Sequence, residues 1–357
     1  MISRVADHCF WFGRYLERAE STARVLAVTQ HHVLDAELTP PEHWRPLLTA
    51  SGQEPHFVEQ FGAEAVGDGD AVQRYLCFDE DNTASMQRAI AAARDNARSI
   101  REVISLEVWE TVNELHLWLD RGQGATDWTL NRHGFYRRIR QAVQLALGLT
   151  QSTMLHDTPL DFIWLGVLLE RMGQTARILD VHHVAFTRAA QAAKADPTTL
   201  GATHQVIETA RWLALLRACS GGEPFMKVNQ GRVTGESVAR FLAFEPRFPR
   251  SIRHCAHAAY TRLADIRPPE SQALPGGDTL AQLHGLTLWI ADKSQEHLDL
   301  SSLHGMLVRV VDETAAICDG IGRDLLGNVT RPTPSVPPPA AAPPQISAPA
   351  RSTQSQS

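Results

Sequence analysis

Phe10-Trp11-Phe12-Gly13-Arg14-Tyr15-Leu16-Glu17-Arg18 runs on through Thr22-Ala23-Arg24 to Leu26 and Val28. Further along, Phe162-Ile163-Trp164-Leu165-Gly166-Val167-Leu168-Leu169-Glu170-Arg171 runs on through Thr175-Ala176-Arg177 to Leu179 and Val181. Gly, Glu, Arg, Thr, Ala, Arg, Leu and Val coincide between the two at one constant offset. In the first stretch Val5, Cys9, Phe12, Leu16, Ala19, Ala23 and Leu26 recur every three or four residues, the period of an amphipathic helix, with Ser3 placed to cap it. Each copy therefore reads as a helix opening one half of the chain, carrying Gly-x3-Glu-Arg-x5-Arg.

The echo continues outward. Trp44-x2-Leu47-Leu48 returns as Trp212-x2-Leu215-Leu216, Glu54-Pro55-x-Phe57 as Glu223-Pro224-Phe225, and Leu76-x-Phe78-Asp79 as Leu242-x-Phe244-Glu245. Ordered matches across unlike residue types predict one duplicated domain over 1–328, with half-repeats of about 1–130 and 150–328. Two such halves would pack about a pseudo-twofold axis, each covering an apolar face that the other leaves bare.

Helical periodicity extends over 86–104, 106–119, 137–155, 162–184, 203–219, 234–243, 250–265, 278–298 and 301–326, and no strand-like alternation flanked by hairpin signals is found. The expected class is all-α. Gly62 to Asp70 is rich in Gly and Asp and reads as a flexible loop. Residues 331–357, beginning Arg331-Pro332-Thr333-Pro334, have almost no apolar bulk and read as a disordered Pro/Ala/Ser-rich tail.

A net charge of −6, with Arg interleaved among Asp and Glu, argues against a broad nucleic-acid surface. No run reaches the roughly 20 apolar residues of a membrane span, and the N-terminus lacks a basic segment followed by an apolar one. The five cysteines, Cys9, Cys77, Cys219, Cys255 and Cys318, are scattered without a Cys-x2-Cys pair and read as reduced, mostly buried thiols. A cytoplasmic location is expected.

On a helix, Gly13, Glu17, Glu20 and Arg24 share one face, as do Gly166, Glu170, Gly173, Arg177 and Asp180 in the second copy. A Gly inside a helix costs about 1 kcal/mol against Ala, so its repetition points to a close approach by another backbone or a ligand. Two readings follow. The repeated helices could cross at their glycines, with Glu17 pairing to Arg171 or Arg177 and Glu170 to Arg18 or Arg24, fixing register without net stabilisation. Alternatively, these groups line a polar cleft, with Glu17 and Glu170 as candidate catalytic carboxylates and Arg18, Glu20, Arg24, Arg171 and Arg177 as binding groups. Arg94, Arg98 and Arg101 form a basic stripe with Asn96 alongside, suited to grip a carboxylate or phosphate or to pair internally.

Sixteen histidines invite a metal hypothesis, but there is no His-Glu-x2-His, and only Asp180-x2-His183 approaches the helical motif of a di-iron bundle. No metal and no cofactor are expected. His31-His32 and His182-His183 read as dipole-favoured groups near helix C-termini. Nucleophile elbows and phosphate-cradling Gly loops are missing from the sequence.

The assembled motifs resemble the bacterial Alpha-E domain family. The resemblance rests on Met1-x-Ser3-Arg4-Val5-Ala6, Tyr15-x-Glu17-Arg18-Ala19-Glu20-x-Thr22-Ala23-Arg24 and Asp79-x-Asp81-Asn82-x2-Ser85. It continues through Ala93-Arg94-x-Asn96-Ala97-Arg98-x2-Arg101-Glu102 and Leu165-Gly166-x3-Glu170-Arg171 with Thr175-Ala176-Arg177, covering roughly 1–328. Asp7 stands where the family has Glu, and Val167 where a basic residue is common. The resemblance implies a helical domain with characteristic glutamates, associated with circularly permuted ATP-grasp proteins and transglutaminase-like peptidases that make or trim amide-linked peptides. The expected function is an accessory or co-catalytic subunit acting with such partners on a peptide or amino-acid substrate. The alternatives are a stand-alone enzyme using Glu17 or Glu170 as general base, and a purely structural scaffold.

Overall fold

The computed structural model describes residues 3–32, 39–195, 201–230, 233–271 and 274–327. The tail 331–357 lies outside the described residues. Among the described residues the chain is helical throughout: α1 (Ser3–His32), α2 (Pro40–Ser51), α3 (Glu54–Phe61), α4 (Gly69–Phe78), α5 (Met86–Ser99), α6 (Leu106–Asp120), α7 (Gln123–Leu130) and α8 (Arg132–Thr153). There follow α9 (Thr158–Ala195), α10 (Gly201–Ala218), α11 (Gly222–Val228), α12 (Gly235–Phe244), α13 (Ile252–Ile266), α14 (Gly277–Lys293) and α15 (Leu300–Asp324). The expected class holds.

Helices α1 and α9 form the centre. Helix α1 packs against α9, α5 and α8, and α9 packs against α1, α13 and α15. The outer layers correspond: α6 bridges α5 and α8, and α14 bridges α13 and α15. The short helices cross over, since α2 lies against α9 and α10 against α1. Because both central helices are covered on nearly every side, apolar residues are buried all round them. Phe10, Phe12, Leu16 and Leu26 of α1, and Ile163, Leu165, Leu169 and Leu179 of α9, are all fully buried. Each such side chain contributes about 1.5–3 kcal/mol relative to exposure.

The local signals that end helices also recur. Asp68 accepts from the Asp70 and Ala71 amides at the start of α4, and the Thr234 hydroxyl accepts from the Ser237 amide at the start of α12. Trp44 lies over Gly69, and Trp212 lies over Gly235, at positions where a Cβ would collide with the indole. The loop expected over Gly62–Asp70 is thus a compact connection. It holds a 3-10 turn at Ala63–Gly67 with Val66 fully buried, and then the first turn of α4.

Two further expectations are corrected. The helix expected over 86–104 ends at Ser99, because Ile100 leaves helical geometry (φ −123°, ψ 27°) while remaining fully buried. Helix α9 runs on to Ala195, so His182 and His183 stand inside it and the C-terminal dipole does not account for them. His182 Nδ1 instead bonds the Ile178 carbonyl at 2.8 Å.

Candidate functional site

The two copies of the signature meet face to face. A Cβ on Gly13 would run into the carbonyl oxygen of Ile163, and one on Gly166 into the carbonyl oxygen of Phe10. The exchange is reciprocal, since Phe10 and Ile163 are themselves matched positions in the two copies. Glycine is required at both places because α1 and α9 touch backbone to backbone. That closeness brings the next turn of each helix, with its Glu-Arg pair, against the other helix.

The carboxylates are buried and fully engaged. Glu17 is 0% and Glu170 2% exposed. Glu170 Oε2 accepts from Arg14 Nε at 2.9 Å and Arg14 Nη2 at 2.8 Å, and Oε1 accepts from Arg18 Nε at 2.8 Å. In the reverse direction Arg171 donates to Glu17 through Nε at 3.1 Å and Nη2 at 2.8 Å. A charge taken out of water must be paired and hydrogen-bonded or it becomes very costly, and forked guanidinium contacts meet that requirement.

Burial alone would raise both carboxyls. Arg171 and Arg250 outweigh it at Glu17, and Arg18 and Arg14 at Glu170, so each is held below the usual carboxylate range. The unfolded chain therefore takes up protons at higher pH than the folded one. The stabilisation is complete above the unfolded value of about 4.3 and is lost as pH falls toward the depressed folded values. Acid titration followed by circular dichroism is expected to show cooperative unfolding below about pH 4. The stability lost between pH 7 and that point should shrink in Glu17→Gln; a loss as large as in the unaltered protein would contradict this assignment.

Of the expected partners, Arg171 meets Glu17 and Arg18 meets Glu170, while Arg24 takes Glu20 on its own helix. Arg177 is half-buried near Glu170 without an ion pair to it, its guanidinium lying beside Gly173. Burial, with Arg18 and Arg14 close by, lowers its pKa against the opposing pull of Glu170. Two arginines were not foreseen. Arg14 escaped because its counterpart in the second copy is the buried Val167, so a comparison of shared residues passes over it. Arg250 lies in the turn before α13 and donates to Glu17 at 2.7 Å and to Glu20 at 2.8 Å. That turn is held by α9: Thr175 Oγ1 donates to the Arg250 carbonyl at 3.0 Å, and Arg171 Nη1 to the Pro249 carbonyl at 3.4 Å. No local periodicity marks such a residue.

The second group of expected residues stands elsewhere. Arg94 and Arg101 both lie over the Trp109 ring, 5.5 and 4.9 Å from its centroid, as cation–π contacts. Arg94 also donates to Asp95 at 3.0 Å. Arg98 is exposed, and Arg101 lies past the end of α5, so the three do not form one helical stripe. Asn96 is bonded to His8 Nδ1 at 2.7 Å and donates to the Ala92 carbonyl, tying α5 to α1.

All five cysteines are free and buried. Burial raises the Cys9, Cys77, Cys219 and Cys255 thiols to about 12, so they remain protonated at neutral pH. Among the described residues no group of three or more His, Cys, Asp or Glu is placed to hold a metal ion. No described helix is long and apolar enough to cross a membrane.

Three curated proteins resemble the chain: an uncharacterized protein of Mycobacterium bovis and uncharacterized proteins of two Mycobacterium tuberculosis strains. Each is 23% identical over 288 residues, which is 76% of this chain and 31% of the relative. The chain thus spans under a third of the length of these relatives. No solved structure matches it. The profile of a predicted alpha-helical domain with a conserved ER motif matches residues 1–326, and the two Glu-Arg pairs described above, Glu17-Arg18 and Glu170-Arg171, fit that description. The chain belongs to the Alpha-E family.

Proposed function

We propose that this chain is an accessory helical subunit whose Glu-Arg motifs lock two related halves together, and that it acts with an ATP-grasp ligase or a transglutaminase-like peptidase in amide-bond chemistry. The observation that carries this reading is the full engagement of Glu17 and Glu170. A general base needs a lone pair facing its substrate and a pKa near the working pH. These carboxylates are buried, accept several guanidinium hydrogen bonds each, and are held below the usual range. Their chemistry is that of anchors.

The halves themselves we infer to descend from a duplication. The reciprocal Gly13–Ile163 and Gly166–Phe10 contacts support this, as do the matched Trp44–Gly69 and Trp212–Gly235 contacts. The partner classes follow from the family resemblance. They accord with the length of the mycobacterial relatives, in which the matched region shares its chain with more than twice as much additional sequence.

The test is co-expression with candidate ATP-grasp and transglutaminase-like proteins, followed by pulldown and an ATP-dependent ligation assay. A stable complex and ligation that depends on this chain are expected. Absence of any complex, together with ligation indifferent to the chain, would sink the proposal.

A further inference from the structure

Around Glu20 the charges do not balance. Its carboxylate accepts from Arg24 on α1, from Arg250 at 2.8 Å, and from Gln144 Nε2 on α8 at 3.3 Å. One turn away on α8, Arg140 adds a further guanidinium, close enough for its charge to bear on Arg24. Arg140 has no ion-pair or hydrogen-bond partner among the described residues. Two N–H groups here, Arg24 Nε and Arg140 Nε, are buried and meet no acceptor among the described residues. With the adjoining pair included, the guanidinium groups of Arg24, Arg140, Arg171 and Arg250 stand, among the described residues, with the two carboxylates of Glu17 and Glu20.

Burial together with the like charges of Arg250 and Arg140 pulls the Arg24 guanidinium down to about 9, still cationic at neutral pH. Burial and Arg250 likewise lower Arg140. An unsatisfied donor on a buried cation is costly. The group meets solvent at its edge, where Arg140 is half-exposed and Gln144 is exposed.

We propose that Arg24, Arg140 and Arg250, with the Gln144 amide, form a binding site for an oxyanion, a carboxylate or phosphate group that settles beside Glu20. Such a group supplies acceptors for the two orphaned Nε–H donors. It also offsets the surplus positive charge, and the planar fork of arginine suits both carboxylate and phosphate. The site shares Arg250 with the Glu17 clamp but adds Arg24, Arg140 and Gln144, none of which bonds Glu17 or Glu170. It does not depend on the identity of any protein partner.

The test is isothermal titration of the 357-residue chain at low ionic strength, with inorganic phosphate and with glutarate in separate arms. Saturable binding of at least one is expected. Loss of one charge-assisted donor should weaken it about tenfold in Arg140→Gln. Arg137→Gln, exposed on the same helix, should leave it unchanged. Arg140→Gln breaks no ion pair and is expected to unfold at the same temperature as the unaltered protein or higher. Gln144→Ala, on the surface, gives a second variant that should weaken binding severalfold without threatening the fold. Phosphate binding alone identifies a phosphate ligand, and glutarate binding alone a carboxylate ligand. No saturable binding of either anion, or binding that Arg140→Gln and Gln144→Ala leave intact, would overturn the assignment.

Discussion

Glu170→Gln is expected to destabilise the protein by about 3–5 kcal/mol at neutral pH, the range found when one partner is removed from a buried ion cluster. The substitution keeps the shape of the side chain, removes the charge and turns one acceptor oxygen into an NH2 donor. It leaves the Arg14 and Arg18 guanidinium groups, both donors to that carboxylate, and the nearby Arg177 inside the crossing without an anion. Water cannot easily reach them, so their mutual repulsion is poorly screened. Urea unfolding measures the effect directly. The exposed Lys293–Glu296 pair provides the contrast: Lys293→Gln should change stability by less than about 1 kcal/mol. A Glu170→Gln protein as stable as the unaltered one would mean that the clamp does not hold α1 against α9.

The second large effect is expected from glycine. Alanine normally gains about 1 kcal/mol over glycine inside a helix, and Gly148 of α8, with open space around its would-be Cβ, should show a gain of that order. Gly13→Ala and Gly166→Ala should go the other way. Each new methyl group meets a main-chain carbonyl of the opposite helix rather than a side chain that can swing aside. Relief requires α1 and α9 to separate, which also lengthens the ion pairs one turn further on. A net loss of about 1–3 kcal/mol per site is expected, as for other overpacked contacts. Because both substitutions strain the same crossing, the double variant should depart from additivity. Stabilisation by either single change would show that the helices do not touch there.

Much of this arrangement was legible in the sequence. The Gly-x3-Glu-Arg spacing placed a close approach and a charged pair on one helix face. The long apolar periods over 137–155, 250–265 and 301–326 marked helices α8, α13 and α15. Short helices were not legible. Helices α2, α3, α7 and α11 begin with Pro, lie between glycines or span only two turns, and their stability comes from docking rather than from a periodic face of their own. The indole of Trp44 over Gly69 illustrates this, since it orders a Gly- and Asp-rich stretch that composition alone reads as loose.

The site was legible in part for a related reason. Residues repeated in both copies stand out, and these supplied Glu17, Arg18, Glu170 and Arg171. Arg14 lacks a charged counterpart, and Arg250 reaches Glu17 from a turn in the other half of the chain, so both depend on tertiary placement. The stripe of Arg94, Arg98 and Arg101 failed for the opposite reason. Its regular spacing presumed a helix that continues past Ser99, whereas burial of Ile100 bends the chain and turns Arg101 back over Trp109.

The account stands on the two Glu-Arg motifs holding each other across the α1–α9 crossing. A double-mutant cycle on Glu17 and Arg171 tests that most directly, using Glu17→Gln, Arg171→Met and the double variant, each unfolded in urea at neutral pH. A favourable coupling energy of about 1.5–3 kcal/mol is predicted, the scale of a buried charge-assisted pair. A coupling within about 0.5 kcal/mol of zero would contradict it.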